Sequence, residues 1–124
     1  MKFDTSELSG NWLDRAVAYC DGIRLTAQGY IEYVVDHLHS EYTDYAPSTD
    51  WAQGGPIIAR EGIQTVLQDE EADIWWANGG RCMQTEQYQQ AGEYGPTILI
   101  AAMRCFVSMR LGETVEFNSF GEVV

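Results

Sequence analysis

The sequence predicts a small α+β protein with an N-terminal helix, a long buried C-terminal helix and a short antiparallel sheet. The C-terminal helix is expected over about residues 96–111, where the chain is apolar on most of the helical circumference. The sheet is expected to include a hairpin near residues 63–78, where apolar residues alternate on both sides of a polar D-E-E-A turn. Helical and alternating patterns in one short chain indicate the mixed class.

The N-terminal helix and its entry are predicted within residues 5–22. Ser6 or Ser9 can cap the helix, and apolar residues then recur at helical spacing as far as Gly22. Leu8 is placed to pack back on the first turn as a hydrophobic staple.

The segment over residues 23–46 fits two structures. The β-branched and aromatic content of Ile23–Thr26 and Tyr30–Val35 favours a hairpin with a turn at Gln28-Gly29. The apolar positions between residues 31 and 38 also fit a short helix. The hairpin is the favoured interpretation.

Two histidines, His37 and His39, lie on one side of this segment if it is extended. A metal site would need a third ligand, for which Asp36, Glu41 and Asp44 are available. Isolated histidine pairs are more often exposed loop residues, so we expect no metal ion and no cofactor.

The segment over residues 42–62 is rich in turn-forming residues. Pro47 interrupts any regular element, and Pro56 can begin a short helix. One interpretation is a rigid loop over Ser48–Gly55 whose N–H groups line a pocket, and the other is a chain reversal with Trp51 as its plug. The pocket interpretation gives these ligand-binding residues: Thr49, Asp50, Trp51, Gln53, Gly54, Gly55, Arg60, Trp76 and Arg104.

Adjacent Trp75 and Trp76 in the predicted hairpin must point to opposite faces. One is expected in the core and the other on a surface or groove, which is the better clue to binding. We assign Trp76 to the pocket, although the alternation alone does not decide between the two. Residues 79–95 are predicted as a flexible loop or a marginal helix over Met83–Ala91.

The C-terminal helix has clear terminal residues. Pro96 suits the first helical position, Gly112 the left-handed end and Arg110 the last turn. Arg104 needs a carboxylate, a ring of carbonyls or solvent, so a structural role is weighed above a ligand contact. A short strand over Glu113–Phe117 and a terminal tail follow.

Nineteen acidic against seven basic residues in a chain of 124 give a formal net charge of −12. This field repels nucleic acid and anionic membranes, so we expect neither direct nucleic acid binding nor membrane association.

The length indicates one domain over residues 1–124. The three cysteines are odd in number and form no CxxC arrangement, and the sequence shows no signal peptide. These observations predict a cytoplasmic protein with reduced thiols. Because no known catalytic motif is present, a non-enzymatic protein is favoured.

Three segments resemble the NinX-like proteins of tailed bacteriophages and prophages. They read T-S-E-L-S-G-N-W-L-D-R-A-V-A from residue 5, S-T-D-W-A-Q-G-G-P-I-I-A-R-E-G-I from residue 48, and G-P-T-I-L-I-A-A-M-R-C-F-V-S-M-R-L-G-E-T-V from residue 95. Arg104 stands at the family's Ala-Ala-Met-Arg position, whereas Ala59 replaces a glutamate that is frequent in the family. The resemblance implies a phage accessory protein in the bacterial host cytoplasm and brings no activity with it.

Two functions from different classes are compatible with these patterns. The first is binding of a small polar or nucleotide-like host molecule, whose ring stacks on tryptophan and whose phosphate pairs with arginine. The alternative is an acidic protein–protein inhibitor, or a nucleic-acid-mimicking decoy of a host factor, which needs its carboxylates on one face. A homo-oligomer with the apolar helix in its interface is a third option.

Overall fold

The computed structural model of the chain describes residues 1–36, 38–79 and 92–124. These residues contain the helices α1 (Gly10–Cys20), α2 (Trp51–Glu61) and α3 (Ile98–Leu111). The strands are β1 (Lys2–Asp4), β2 (Tyr30–Asp36), β3 (His39–Asp44), β4 (Ile63–Asp69), β5 (Ile74–Gly79), β6 (Gly92–Gly95) and β7 (Thr114–Glu116). The strands form small antiparallel sheets, which confirms the predicted α+β class.

Helix α3 is the centre of the hydrophobic core. Its buried residues include Phe106 and Met103, both fully inaccessible, and it packs against α1, α2 and the sheet of β4, β5 and β6. The predicted buried helix is confirmed, but it begins at Ile98 and not at Pro96. Thr97 is the N-cap, because its Oγ1 accepts a hydrogen bond from the N–H of Ile100 at 3.1 Å.

The N-terminal helix is shorter than predicted. A 3₁₀ turn over Thr5–Glu7 comes first, and α1 starts only at Gly10, after an extended Leu8–Ser9 pair. Leu8 is 1% exposed and belongs to the core, which explains why the chain turns there. Strand β1 was not predicted from the sequence, and it pairs with β7 at the other end of the chain.

The hairpin between residues 23 and 46 keeps one of the two expected strands, since Tyr30–Val35 lies within β2, but the other strand differs. Strand β2 pairs with β3 in the register Tyr30↔Asp44, and the predicted strand Ile23–Thr26 is wrong. The apolar side chains of Ile23 and Leu25 pack on the core from an irregular segment, so their burial does not need a sheet. His37, and with it the histidine metal site, lies outside the described residues.

The predicted loop over Ser48–Gly55 is wrong from Trp51 onward, because these residues begin α2. Asp50 caps this helix through a 3.0 Å hydrogen bond from the N–H of Ala52. Gly54 is required by packing: an added Cβ would collide with the Pro47 carbonyl and lie 2.7 Å from Cδ2 of Leu99. The close contact between α2 and α3 outweighs the poor helix propensity of glycine and proline.

The hairpin near residues 63–78 is confirmed as β4 and β5, and β6 extends it into a three-stranded sheet in the order β4-β5-β6. Residues 92–95, predicted as loop, are a strand, because they pair with Trp75–Asn78. The interpretation of Met83–Ala91 falls outside the described residues. Among the described residues, no helix combines the length and the apolar character needed to cross a membrane.

Candidate ligand-binding site

A cavity of about 350 Å³ lies where the first turns of α2 and α3 approach the turn between β4 and β5. Its walls come from four parts of the chain: Ser48, Thr49 and Trp51, then Asp73, then Trp75, and finally residues 96–100. Helix packing against the sheet therefore places aromatic, hydroxyl, carboxyl and backbone groups around one space.

Two tryptophans form the aromatic part of this cavity. Trp51 is the first residue of α2, and 56% of its surface is exposed. Trp75 is half-buried and packs against the core. It shares the helix-facing side of β5 with Ala77, which is fully buried. The small side chain of Ala77 lets α3 lie close to the sheet, and Trp75 lines the same cavity as the first residues of that helix.

The first turn of α3 contributes unused hydrogen-bond donors. Thr97 binds the N–H of Ile100 and its carbonyl accepts from Ala101. Within the described part of the chain, no group accepts a hydrogen bond from the N–H of Ile98 or Leu99. These first-turn donors carry the partial positive charge of a helix N-terminus and are suited to an acceptor atom.

Asp73 contributes a hydrogen-bond acceptor to the lining. It has a φ of 54°, a left-handed conformation that aspartate tolerates better than most residues, at the end of the β4–β5 turn. Its carboxylate borders the same space as the α3 donors. The lining thus includes both donors and an acceptor, which fits a ligand that carries both kinds of group.

Ser48 forms a buried polar wall. It is 1% exposed, and its N–H donates to Oδ1 of Asp14 at 2.9 Å, which ties the start of α2 to α1. Its Oγ is buried and has no hydrogen-bond partner among the described residues. The hydroxyl is still near enough to affect Asp14: burial raises the pKa of that carboxyl, while the Ser48 hydroxyl and N–H lower it.

Of the residues predicted from the sequence, Thr49 and Trp51 line this cavity. Asp50 is used as the cap of α2, and Gly54 as its contact with α3. The side chain of Gln53 binds backbone instead, since its Oε1 accepts from Ala46 N and its Nε2 donates to Asp44 O, both at 2.8 Å. Gly55 lies behind the Trp51 ring.

The two predicted arginines do not line the cavity. Arg60, at the far end of α2, forms a 2.8 Å ion pair with Asp21 and a 3.0 Å ion pair with Glu61. Arg104 donates to the carbonyls of Leu8 and Tyr94 at 2.7 and 2.8 Å. Burial lowers the pKa of the Arg104 guanidinium, and nearby Glu93 opposes that effect. Both side chains serve the fold.

Trp76 also lies elsewhere. It faces the opposite side of the sheet, where its ring is 4.5 Å from that of Tyr94 and covers Gly92. Trp75 takes the position that the sequence interpretation gave to Trp76. Ala77 lies two positions along on the same side of β5 as Trp75, and its burial in the structure identifies this side as the helix-facing one.

The structure thus defines a small acidic α+β protein with an aromatic cavity at the meeting point of two helix starts. In the described ranges, no group of three His, Cys, Asp or Glu side chains is arranged to hold a metal ion. A family model described as "Bacteriophage P22, NinX" matches residues 4–110. The chain therefore belongs to the NinX family and is a phage accessory protein. No curated protein matches it.

Proposed function

We propose that this protein binds a small polar host molecule with a planar ring, and that it does so without catalysis in the cavity between Trp51 and Trp75. The observation that carries the proposal is the position of Trp51. Trp51 is 56% exposed and lines a cavity that is also lined by a second tryptophan and by the first turn of α3 with its unused backbone donors.

The exposed ring favours a planar ligand. Stacking of a flat ring on an aromatic side chain contributes roughly 1–3 kcal/mol, measured by truncation to alanine. Trp51 is held by the first turn of α2, with Asp50 as the cap, so the ring stands on a rigid element. A ligand that stacks on the Trp51 ring buries apolar surface that is now exposed to water.

The polar groups favour a molecule with both an acceptor and a donor. An acceptor atom fits the N–H groups of Ile98 and Leu99, and a donor fits the Asp73 carboxylate. No arginine of the described residues lines the cavity, and Arg60 and Arg104 make their bonds elsewhere. A base or nucleoside-like molecule therefore suits this site better than a phosphate ester.

The test is capture of a ligand from host metabolite extract, followed by mass spectrometry of what the recovered protein retains. We expect wild type to retain a planar molecule and to unfold at a higher temperature in its presence. Trp51→Ala should lose both effects. Tyr42→Ala is the matched control, because Tyr42 is an aromatic residue on β3 with a similar exposure of 59%.

Equal retention by Trp51→Ala and wild type would contradict the proposal, as would no retained molecule together with no thermal shift. The acidic inhibitor or nucleic-acid decoy stays the alternative. It predicts that a host protein is pulled down by wild type and released steeply as salt is raised.

A further inference from the structure

A second cavity, of about 460 Å³, lies on another part of the surface and shares no residue with the Trp51–Trp75 cavity. It is formed by the end of α1, the segment that follows it, and the C-terminal residues 121–123. Two arginines, Arg15 and Arg24, contribute to its lining. Neither was singled out from the sequence as a binding residue.

Arg15 is held in place without a carboxylate. One of its terminal nitrogens donates to the carbonyl of Ala27 at 2.6 Å. The guanidinium also lies against Gly121, where an added Cβ would be 3.1 Å from a terminal nitrogen. These contacts fix the position of the group but leave its positive charge without an ion-pair partner in the described ranges.

Arg24 is exposed, and no described residue forms a hydrogen bond or an ion pair with its side chain. This is unusual for a chain with nineteen acidic and seven basic residues. Arg60 and Arg110, by contrast, are both paired with Glu61. Guanidinium groups are well suited to bidentate contacts with phosphate oxygens.

One carboxylate, that of Glu122, also borders the cavity. Its Oε1 accepts a weak 3.4 Å hydrogen bond from Nδ2 of Asn118, and its N–H donates to Oδ1 of the same residue at 3.0 Å. The turn formed by these contacts orients Glu122 towards Asn118. Among the residues that line the cavity, two guanidinium groups therefore stand against one carboxylate.

Tyr19 gives the cavity an aromatic wall. It lies one helical turn after Arg15 on α1, so the two side chains share a face of the helix. The tyrosine is 55% exposed. Its ring can therefore cover a flat group while the arginines hold an attached anion.

We propose that this cavity is a binding site for a small phosphate monoester of a planar molecule, as in a nucleoside monophosphate. Arg15 and Arg24 pair with the phosphate oxygens, and Tyr19 packs on the planar group. The site is separate from the cavity of the proposed function, so either one can fail without the other.

The test uses adenosine monophosphate, adenosine and inorganic phosphate as probes, with binding followed through backbone amide shifts in NMR titrations. We expect adenosine monophosphate to shift amides near Tyr19, Gly22 and Val123. Adenosine, which lacks the charge, should bind about tenfold more weakly. Phosphate should shift the same amides but need a higher concentration.

Variants separate this site from a general charge effect. Arg24→Ala should weaken adenosine monophosphate about tenfold, whereas Lys2→Ala, with the same change in net charge outside the cavity, should not. Tyr19→Ala should weaken the nucleotide about fivefold but leave phosphate unchanged, and Tyr42→Ala is its control. Arg15 is not substituted, because it donates a hydrogen bond to the Ala27 carbonyl and its loss could disturb the fold.

Three results would overturn the proposal. The first is the absence of shifts near Tyr19 and Gly22, or shifts centred on Trp51 and Trp75 instead. The second is equal weakening by Arg24→Ala and Lys2→Ala. The third is phosphate binding as tightly as the nucleotide, which would remove the role of the planar group.

Discussion

The two ends of α2 use their polar and aromatic residues in opposite ways. At the C-terminal end, Glu61 is 8% exposed and is bonded by Arg60 at 3.0 Å and by Arg110 at 2.8 Å. The two guanidinium groups also lie 5.7 and 5.1 Å from the ring centre of Phe106. At the N-terminal end, Trp51 is exposed beside a cavity.

This difference shows what makes a residue available to a ligand. Arg60 and Trp51 are equally attractive as binding residues in the sequence, but the fold already uses Arg60 to hold α2 to Asp21 and to Glu61. Burial alone would raise the pKa of Glu61, yet the hydrogen bonds and charges of Arg110 and Arg60 lower it. The C-terminal end of α2 is an anchor, held in place by the ion pairs of Glu61, and the N-terminal end borders the candidate site.

The largest expected effect concerns the middle of α2, which holds both ends in place. Gly54→Ala should lower the free energy of unfolding by about 3 kcal/mol, because the new Cβ would collide with the Pro47 carbonyl. Gly55→Ala is the matched control, since its Cβ would meet Trp51 at an ordinary 3.8 Å. It should change the free energy of unfolding by less than about 1 kcal/mol, because the gain in helix propensity is opposed by crowding of the new Cβ against the Pro56 ring. Urea unfolding measures both, and similar losses would contradict the packing assigned to Gly54.

The next effect tests the anchor. Glu61→Ala should lower the free energy of unfolding by about 2 kcal/mol, because two guanidinium groups lose their buried partner but remain partly hydrated. Glu41→Ala, an exposed acid on β3, should change it by less than about 0.5 kcal/mol. A loss for Glu61→Ala as small as that of the control would show that the ion pairs do not hold α2.

The pH dependence of stability should differ in sign between two buried carboxyls near the two ends. The folded pKa of Glu61 lies below the usual 4.5, so its stabilisation is present above that pH and is lost as the pH falls through the folded pKa. Burial raises the folded pKa of Asp14 above 3.8, so its stabilisation is present at low pH and is lost as the pH rises through the folded pKa.

Urea unfolding of Glu61→Gln and Asp14→Asn between about pH 3 and 7 measures these two contributions. Glu61→Gln should reduce the loss of stability on acidification. Asp14→Asn should remove a loss of stability that begins as the pH rises above 3.8. The same change in slope for both variants would contradict the opposite shifts of the two pKa values.

The elements with strong periodicity could be predicted from the sequence. Helix α3 and the β4–β5 hairpin follow from apolar spacing and end residues, and only the helix start was misplaced, at Pro96 instead of Ile98. Only the second half of α2 was predicted, as a short helix beginning at Pro56, because Gly54 indicates a loop unless its close contact with Leu99 is known. Strand β1 depends on a partner at the far end of the chain.

The candidate site was predictable only in part. Thr49 and Trp51 were identified from the local composition, and they do line the cavity. Alternation along β5 separates Trp75 from Trp76 but does not say which faces the helix. One of the two carbonyls that accept hydrogen bonds from Arg104 is distant in sequence, since Leu8 is separated from it by 96 positions. Only the tertiary structure shows which charged side chains are already engaged in hydrogen bonds and ion pairs within the fold.

The most direct test of the comparison is to measure ligand retention and unfolding free energy together for Trp51→Ala and Arg60→Ala. We predict that Trp51→Ala loses the retained host molecule while its stability changes by less than about 0.5 kcal/mol. Arg60→Ala should keep the molecule but lose about 1 kcal/mol of stability, since its ion pairs are partly exposed. Loss of the ligand by Arg60→Ala, with full retention by Trp51→Ala, would contradict the assignment of the site to the N-terminal end of α2.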